Sequence, residues 1–174
     1  MNRIKLILTL IILFIALSIL IIFINRPIII HISNSSTLRN KEYKLGDTIN
    51  PFKNFDFNNG EWEIYLFISS NDKNSISKDI PLGKCLVTTN KELMNEIKYN
   101  WNFIYTNADI ATVESEIVFS QNGKEVFRSG IVLDSLNQGL QNRQYGWLEA
   151  TPKDILSKYI KQFNRTYKPI IILR

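Results

Sequence analysis

The feature that most constrains this chain is an unbroken apolar run from Leu6 to Ile24. Only Thr9 and Ser18 interrupt it with polar side chains, and a hydroxyl on a helix can bond back to a carbonyl one turn earlier. A helix of this length measures about 28 Å, close to the hydrocarbon thickness of a bilayer. Because a backbone in lipid must satisfy its own hydrogen bonds, the run predicts one transmembrane helix over residues 6–24.

A cleaved signal peptide is the alternative interpretation of the same run. Ala16-Leu17-Ser18 has the small-x-small form of a cleavage site, but cleavage there would leave the apolar residues 19–24 as a new terminus. No small-x-small site follows the run, and no cysteine stands near it for lipid attachment. We therefore predict an uncleaved signal anchor that contacts the lipid bilayer.

The charges beside the run predict its orientation. Arg3 and Lys5 precede it, whereas Arg26 is the only charged residue after it until residue 39. Since positive charge favours the cytoplasmic side, residues 1–5 are predicted as a cytoplasmic tail, and the rest as an exported periplasmic or extracellular domain of a single-pass protein. Three basic residues between 39 and 44 weaken this asymmetry when the window is widened.

Beyond the anchor, residues 25–59 are predicted as a stalk or irregular connecting segment, with a short strand at its isoleucines. Residues 60–174 are predicted as a globular α+β domain. Residue alternation, turn residues and helical spacing place strands over 61–69, 84–88, 112–120, 124–133 and 169–173, and helices over 89–101 and 151–163.

The order of these elements predicts a fold. Asn122-Gly123 between two β-rich runs is a strong hairpin signal, because a type I′ turn needs positive φ at both positions. From residue 84 onward the order is strand, helix, strand, strand, helix, strand, the split βαβ order of ferredoxin-like folds. We expect a small mixed or antiparallel sheet with two helices, and the strand at 61–69 as an extra edge.

Composition excludes several classes of site. The chain has one cysteine, Cys85, and one histidine, His31, so neither a disulfide within the chain nor a multi-histidine metal site is predicted, and no cofactor is expected. His31 is interpreted as an interfacial or packing residue and Cys85 as a small buried hydrophobe. The net charge of +5 comes largely from residues 151–174, where Asp154 is the only acid, so no nucleic-acid partner is predicted.

The sequence lacks recognisable catalytic motifs. It contains neither a phosphate-binding glycine loop nor a Gly-x-Ser-x-Gly elbow nor a His-Glu-x-x-His helix. Glu114 and Glu116 are predicted on one face of a strand, where paired carboxylates can perform hydrolysis but more often mark a solvated face. Asp109 and Asp134 stand near predicted strand ends with no motif around them.

Residues 134–150 are the most informative segment for function. They form a long predicted connection without clean periodicity, and such connections are often functional. The segment contains Arg143, Tyr145 and Trp147, residue types common at the centres of binding interfaces, with Gln141 beside them. Two interpretations remain open here: a lid whose aromatic side chains fold onto the core, or a site for a protein partner.

These observations favour a membrane-anchored, non-enzymatic protein whose exported domain binds another protein. An accessory subunit of an envelope complex and a toxin-neutralising protein both fit this description. The alternative is a membrane-tethered hydrolase that uses carboxylates of the sheet and its loops. A pocket in which two acids converge with a perturbed pKa distinguishes the hydrolase.

Overall fold

The computed structural model describes residues 3–25, 27–32, 43–72, 75–81, 83–106, 108, 114–134, 137–142 and 144–174. Within these ranges the helices are α1 (Arg3–Asn25), α2 (Lys91–Asn100) and α3 (Ile155–Ile160). The strands are β1 (Ile28–His31), β2 (Thr48–Ile49), β3 (Trp62–Phe67), β4 (Cys85–Thr88), β5 (Asn102–Tyr105), β6 (Glu116–Gln121), β7 (Lys124–Leu133), β8 (Gln138–Asn142), β9 (Gly146–Thr151), β10 (Asn164–Arg165) and β11 (Ile170–Leu173).

The fold is mixed α+β, as predicted, and is dominated by one large antiparallel sheet. Nine of the described strands form it, in the order β10-β4-β3-β6-β7-β8-β9-β5-β2. The remaining two, β1 and β11, pair in parallel as a separate two-stranded sheet, which we call the ribbon. Asn122 (φ 53°) and Gly123 (φ 74°) make the predicted turn between β6 and β7.

The ferredoxin-like order is not confirmed, and the reason lies in strands that the sequence did not reveal. Residues 134–150, predicted as a connection, contribute β8 and β9 to the middle of the sheet. The strand after α2 is β5, which pairs with β9 and β2 and lies far from β4. The last strand, β11, leaves the large sheet and pairs with β1 instead.

Both helices of the domain bury apolar stripes against one face of the large sheet, which we call the front face. In α2 the buried residues are Leu93, Met94 and Ile97, at the helical spacing that the sequence predicts. Asn90 caps this helix, because its Oδ1 accepts hydrogen bonds from the amides of Glu92 and Leu93. The α2 prediction is therefore confirmed, with its start set by this cap.

The second domain helix begins later than predicted. The sequence pattern suggested Thr151 as its N-cap and Pro152 as its first residue, but Thr151 is the last residue of β9 and pairs with Asn102 of β5. The helix α3 starts at Ile155, with Asp154 in the cap position. Sheet pairing therefore overrides the local helix-start signal at this point.

The core on the front face also takes aromatic side chains from the segment that the sequence predicted as a stalk. Phe52 and Phe57 are fully buried, and Ile49 is nearly so. The ring of Phe52 stacks on that of Phe119 in β6, with centroids 4.6 Å apart. The folded unit therefore draws its core from both sides of residue 60, the predicted domain boundary.

The ribbon covers part of the opposite, back face of the large sheet. Ile171 and Leu173 of β11 point inward and form a second apolar cluster with Tyr65, Phe67 and Val118. The same cluster includes the predicted buried cysteine of β4. The ribbon thus packs on the back of β3, β4 and β6, whereas α3 contacts β8 and β9 on the front.

The N-terminal helix is long and apolar enough to cross a membrane. Its candidate span, Arg3–Ile21, has a mean hydropathy of 3.0, and none of that window is buried against the rest of the chain. Its two hydroxyls are satisfied within the helix: Oγ1 of Thr9 donates to the carbonyl of Lys5 at 2.9 Å, and Ser18 does the same one turn back at 2.8 Å.

Candidate functional site

The predicted partner-binding segment, residues 134–150, forms the β8–β9 hairpin inside the large sheet. Strand β8 pairs with β7 and strand β9 pairs with β5, so each strand of the hairpin has hydrogen-bonded neighbours on both sides. The body of the hairpin is therefore structural. The described turn residues at its tip, Gln144 and Tyr145, are the part that remains for contact with another molecule.

Trp147 lies in the body of this hairpin and is only 3% exposed. It stands opposite Gln141 in β8, on the back face of the sheet. Gln141 is half-buried, and its Oε1 is buried without a hydrogen-bond partner in the described part of the chain. Both side chains therefore belong to the interior of the fold, and Arg143 lies outside the described residues.

Tyr145 occupies the tip of the hairpin and forms a group with two other tyrosines. Its ring centroid lies 5.6 Å from that of Tyr43, and Tyr43 lies 5.8 Å from Tyr105. All three are half-buried against the edge of the main core. Burial raises the pKa of Tyr43, and its hydrogen bond with Tyr145 opposes that rise. We call these three residues the tyrosine cluster.

A short turn holds an exposed leucine beside this cluster. Leu45 is 71% exposed. The next residue, Gly46, donates its amide to the carbonyl of Tyr105 at 2.9 Å, and Tyr105 donates in turn to the carbonyl of Asp47 at 3.0 Å. Oδ2 of Asp47 accepts from the amide of Lys44 at 2.9 Å. These bonds fix the turn and hold Leu45 toward solvent.

The sequence singled out Tyr145 but neither Tyr43, Tyr105 nor Leu45. These residues come from three segments that are far apart in the chain, so their convergence depends on the pairing of β5 with β9 and β2. No local motif signals that pairing. The one usable signal was the enrichment of tyrosine at binding surfaces.

A polar cluster joins the ribbon to the large sheet. Nη2 of Arg128 donates to Oε2 of Glu125 at 3.1 Å, and Nδ1 of His31 lies 3.1 Å from the same oxygen. Nη2 of Arg128 also contacts Nδ1 of His31. Burial raises the pKa of Glu125, and the nearby charge of Glu116 raises it further. His31, predicted as a packing residue, thus links β1 to β7.

The two glutamates predicted to share a strand face have different surroundings. Glu114 precedes β6, is exposed, and accepts hydrogen bonds from Oγ of Ser69 at 2.6 Å and from Nδ2 of Asn71 at 2.8 Å. These bonds lower the pKa of Glu114. Glu116 is half-buried, and burial raises its pKa. The charge of Glu116 acts on Glu125, whereas Glu114 binds the loop that contains Ser69 and Asn71.

Of the other two acidic candidates, the structure describes only Asp134. Asp134 forms an isolated bridge with Ile76 and accepts a hydrogen bond from the amide of Asn137. Asp109 lies outside the described residues. Within the ranges that the structure describes, no group of three or more histidine, cysteine, aspartate or glutamate side chains is placed to hold a metal ion.

Cys85 lies on the back face beneath the ribbon and is 2% exposed. Burial raises the pKa of its thiol to about 12, so the thiol stays protonated at neutral pH. This agrees with the interpretation of Cys85 as a small buried hydrophobe.

Comparison of the chain with protein-family models, with curated proteins and with solved structures finds no match. We therefore infer function from the chain's own residues.

Proposed function

We propose that this chain is a membrane-anchored, non-enzymatic protein whose exported α+β domain binds another protein at the tip of the β8–β9 hairpin. The observation that carries the proposal is the tyrosine cluster, Tyr43, Tyr105 and Tyr145, beside the exposed Leu45. Tyrosines held in place by a rigid sheet offer large contact area at low entropic cost, which is why they are enriched where proteins bind each other. An envelope accessory subunit and a toxin-neutralising protein remain the two types of binder that fit.

The anchor is supported by α1, whose apolar window and internally bonded hydroxyls suit a lipid environment. The exported orientation rests on Arg3 and Lys5 ahead of the helix. The hydrolase alternative has less support. The carboxylate of Glu125 is held by Arg128 and His31, as in a structural ion pair.

The binding proposal is tested by site-specific photo-cross-linking in cells with the full chain. A photo-reactive amino acid replaces Leu45, and the matched control replaces Tyr99, which is equally exposed at 71%. Tyr99 lies just before β5 begins, whereas Leu45 lies beside its end. We expect one discrete protein adduct from position 45 and none from position 99. No adduct at either position, or the same adducts at both, contradicts a partner site at the hairpin tip.

Orientation is tested separately with Leu45→Cys. The native Cys85 is buried, so a membrane-impermeant maleimide reports on residue 45 alone. Labelling without permeabilising the membrane is the expected result. Labelling only after permeabilisation places the domain in the cytoplasm and contradicts the exported orientation. The partner site is then still tested by the cross-linking experiment.

A further inference from the structure

The ribbon carries a continuous isoleucine surface on the side that faces away from the large sheet. The parallel register places Ile28 opposite Ile170 and Ile30 opposite Ile172. These four side chains are between 41% and 51% exposed. Ile32, which follows β1 directly and donates its amide to the carbonyl of Leu173, is 63% exposed. We call these five residues the isoleucine face.

This exposure is unusual because the ribbon already has an apolar inner side. Ile171 and Leu173 pack on the large sheet and already attach the ribbon to it. The outer side of the ribbon therefore has no need to be apolar for this packing. A strand with one solvated side normally alternates apolar and polar residues. Here every outward-facing residue of β1 and β11 is an isoleucine. A contiguous exposed apolar patch of this kind is typical of a surface that contacts a membrane or another protein.

The position of the isoleucine face in the chain identifies what covers it. The helix α1 ends at Asn25 and β1 begins at Ile28. Three Cα–Cα steps span about 11 Å at most, so Ile28 lies within that distance of the end of the helix. If α1 crosses a bilayer, the start of the ribbon lies at the boundary between hydrocarbon and headgroups.

The residues at the same end of the ribbon have the chemistry of that boundary. The amide of Ile28 donates to the carbonyl of Pro169 at 2.9 Å, which holds the residues that precede β11 near the start of β1. Among them Tyr167 is 63% exposed, and the guanidinium of Arg165 lies 5.0 Å from the centroid of its ring. Tyrosine and basic side chains are enriched at the headgroup level, where the ring and the positive charge both find partners.

We propose that the isoleucine face lies in the interfacial region of the same bilayer that α1 crosses, with Tyr167 and Arg165 at the level of anionic headgroups. This inference rests on the anchor in the proposed function and is independent of the partner site. It gives the ribbon a second role: besides covering the back face of the sheet, it fixes the orientation of the domain relative to the membrane.

The test measures the depth of labelled cysteines in lipid, with the full chain reconstituted in nanodiscs of phosphatidylcholine and phosphatidylglycerol. A fluorophore is attached to Ile172→Cys or Ile30→Cys on the ribbon, and its quenching by spin-labelled lipids is recorded. Leu45→Cys is the control for an exposed site away from the ribbon, and Ile12→Cys is the control for the anchor. Near-ultraviolet circular dichroism of each labelled protein checks that the domain is folded.

We expect at least twofold stronger quenching at both ribbon positions than at Leu45→Cys, and strong quenching at Ile12→Cys. Quenching at the ribbon equal to that at Leu45→Cys, with Ile12→Cys quenched, overturns the ribbon inference and leaves the anchor intact. Absence of quenching at Ile12→Cys overturns the anchor itself. Disulfide cross-links between copies through Ile172→Cys, with no lipid quenching, make a second copy the occupant and also overturn the inference.

Discussion

Gly139 and Trp147 lie in neighbouring strands so close together that a Cβ atom on residue 139 would come within 2.6 Å of Cζ2 of the tryptophan ring. The same atom would overlap the backbone carbonyl oxygen of Leu148. The large indole ring therefore lies over a glycine in β8. The missing side chain at Gly139 leaves room for this ring against the backbone of β8.

The variant Gly139→Ala is expected to lower the free energy of unfolding by about 3 kcal/mol, because neither the indole nor the backbone of Leu148 can move without disturbing the pairing of β8 with β9. Urea unfolding of the full chain in detergent, followed by near-ultraviolet circular dichroism, measures the change. The matched control is Gly123→Ala, in the β6–β7 turn. Its φ of 74° is strained for alanine but nothing lies within 4 Å of the added atom, so a loss of about 1 kcal/mol is expected. Equal losses in the two variants contradict the packing of Trp147 on Gly139.

Trp147→Ala is expected to lower the free energy of unfolding by about 3–5 kcal/mol, because it removes a large buried side chain and leaves a cavity. The comparison is Tyr99→Ala, whose side chain is 71% exposed and whose loss is expected to change stability by less than about 0.5 kcal/mol. Thermal unfolding of both variants supplies the measurement. If Trp147→Ala retains wild-type stability, the burial of Trp147 is contradicted. The strands of the β8–β9 hairpin, as well as its tip, are then candidates for contact with a partner.

The predictable part of the fold consists of elements with strong local signals. The Asn122-Gly123 turn, the α2 stripe and the strands around residues 61–69 and 84–88 all appear where the sequence places them. In contrast, β8 has the sequence Gln-Gly-Leu-Gln-Asn, which is poor in β-branched and aromatic residues. It becomes a strand because β7 and β9 pair with it on both sides. The residues within a short stretch of sequence around β8 do not reveal this pairing.

The polar cluster shows the same limit for a candidate site. In a regular strand Glu125 and Arg128 point to opposite faces. The pairing of β6 with β7 shifts register between Phe119 and Ser120, and this β-bulge returns both side chains to the back face. The charges of Glu125 and Arg128 are visible in the sequence, but the bulge that brings them to His31 is not.

A third prediction about stability concerns the buried Ser115, which is 1% exposed. Its Oγ donates to Oδ2 of Asp72 at 2.6 Å and accepts from the amide of Ser69 at 3.0 Å. Ser115→Ala leaves that amide and that carboxylate without these contacts, so a loss of about 1–3 kcal/mol is expected in the unfolding free energy. Ser70→Ala, at an exposed neighbouring position, is the control and is expected to change stability by less than about 0.5 kcal/mol. A wild-type midpoint for Ser115→Ala in urea contradicts the role given to Ser115.

The last prediction concerns the pH dependence of stability through Glu116. Burial raises the pKa of this carboxyl in the folded domain. Between the ordinary carboxyl pKa and the raised one, the folded state binds more protons than the unfolded state, so stability falls as pH rises through that window. Glu116→Gln removes this contribution. We therefore expect the variant to match the wild type below the ordinary carboxyl pKa. As pH rises through the window up to the raised pKa, the variant becomes more stable than the wild type, and above that window the difference stays constant.

Glu114→Gln supplies a control of opposite sign, because hydrogen bonds from Ser69 and Asn71 lower the pKa of Glu114. A carboxyl with a lowered pKa stabilises the fold above its unfolded pKa, and this contribution is lost as pH falls. The Glu114 variant is therefore expected to lose stability relative to the wild type at neutral pH and to converge with it in acid. Unfolding free energies measured from acid to neutral pH give both differences.

Since the charge of Glu116 raises the pKa of Glu125, carboxyl NMR titration of Glu116→Gln is expected to show a lower pKa for Glu125. If the unfolding free energies of Glu116→Gln and the wild type change with pH in the same way, the burial of Glu116 is contradicted.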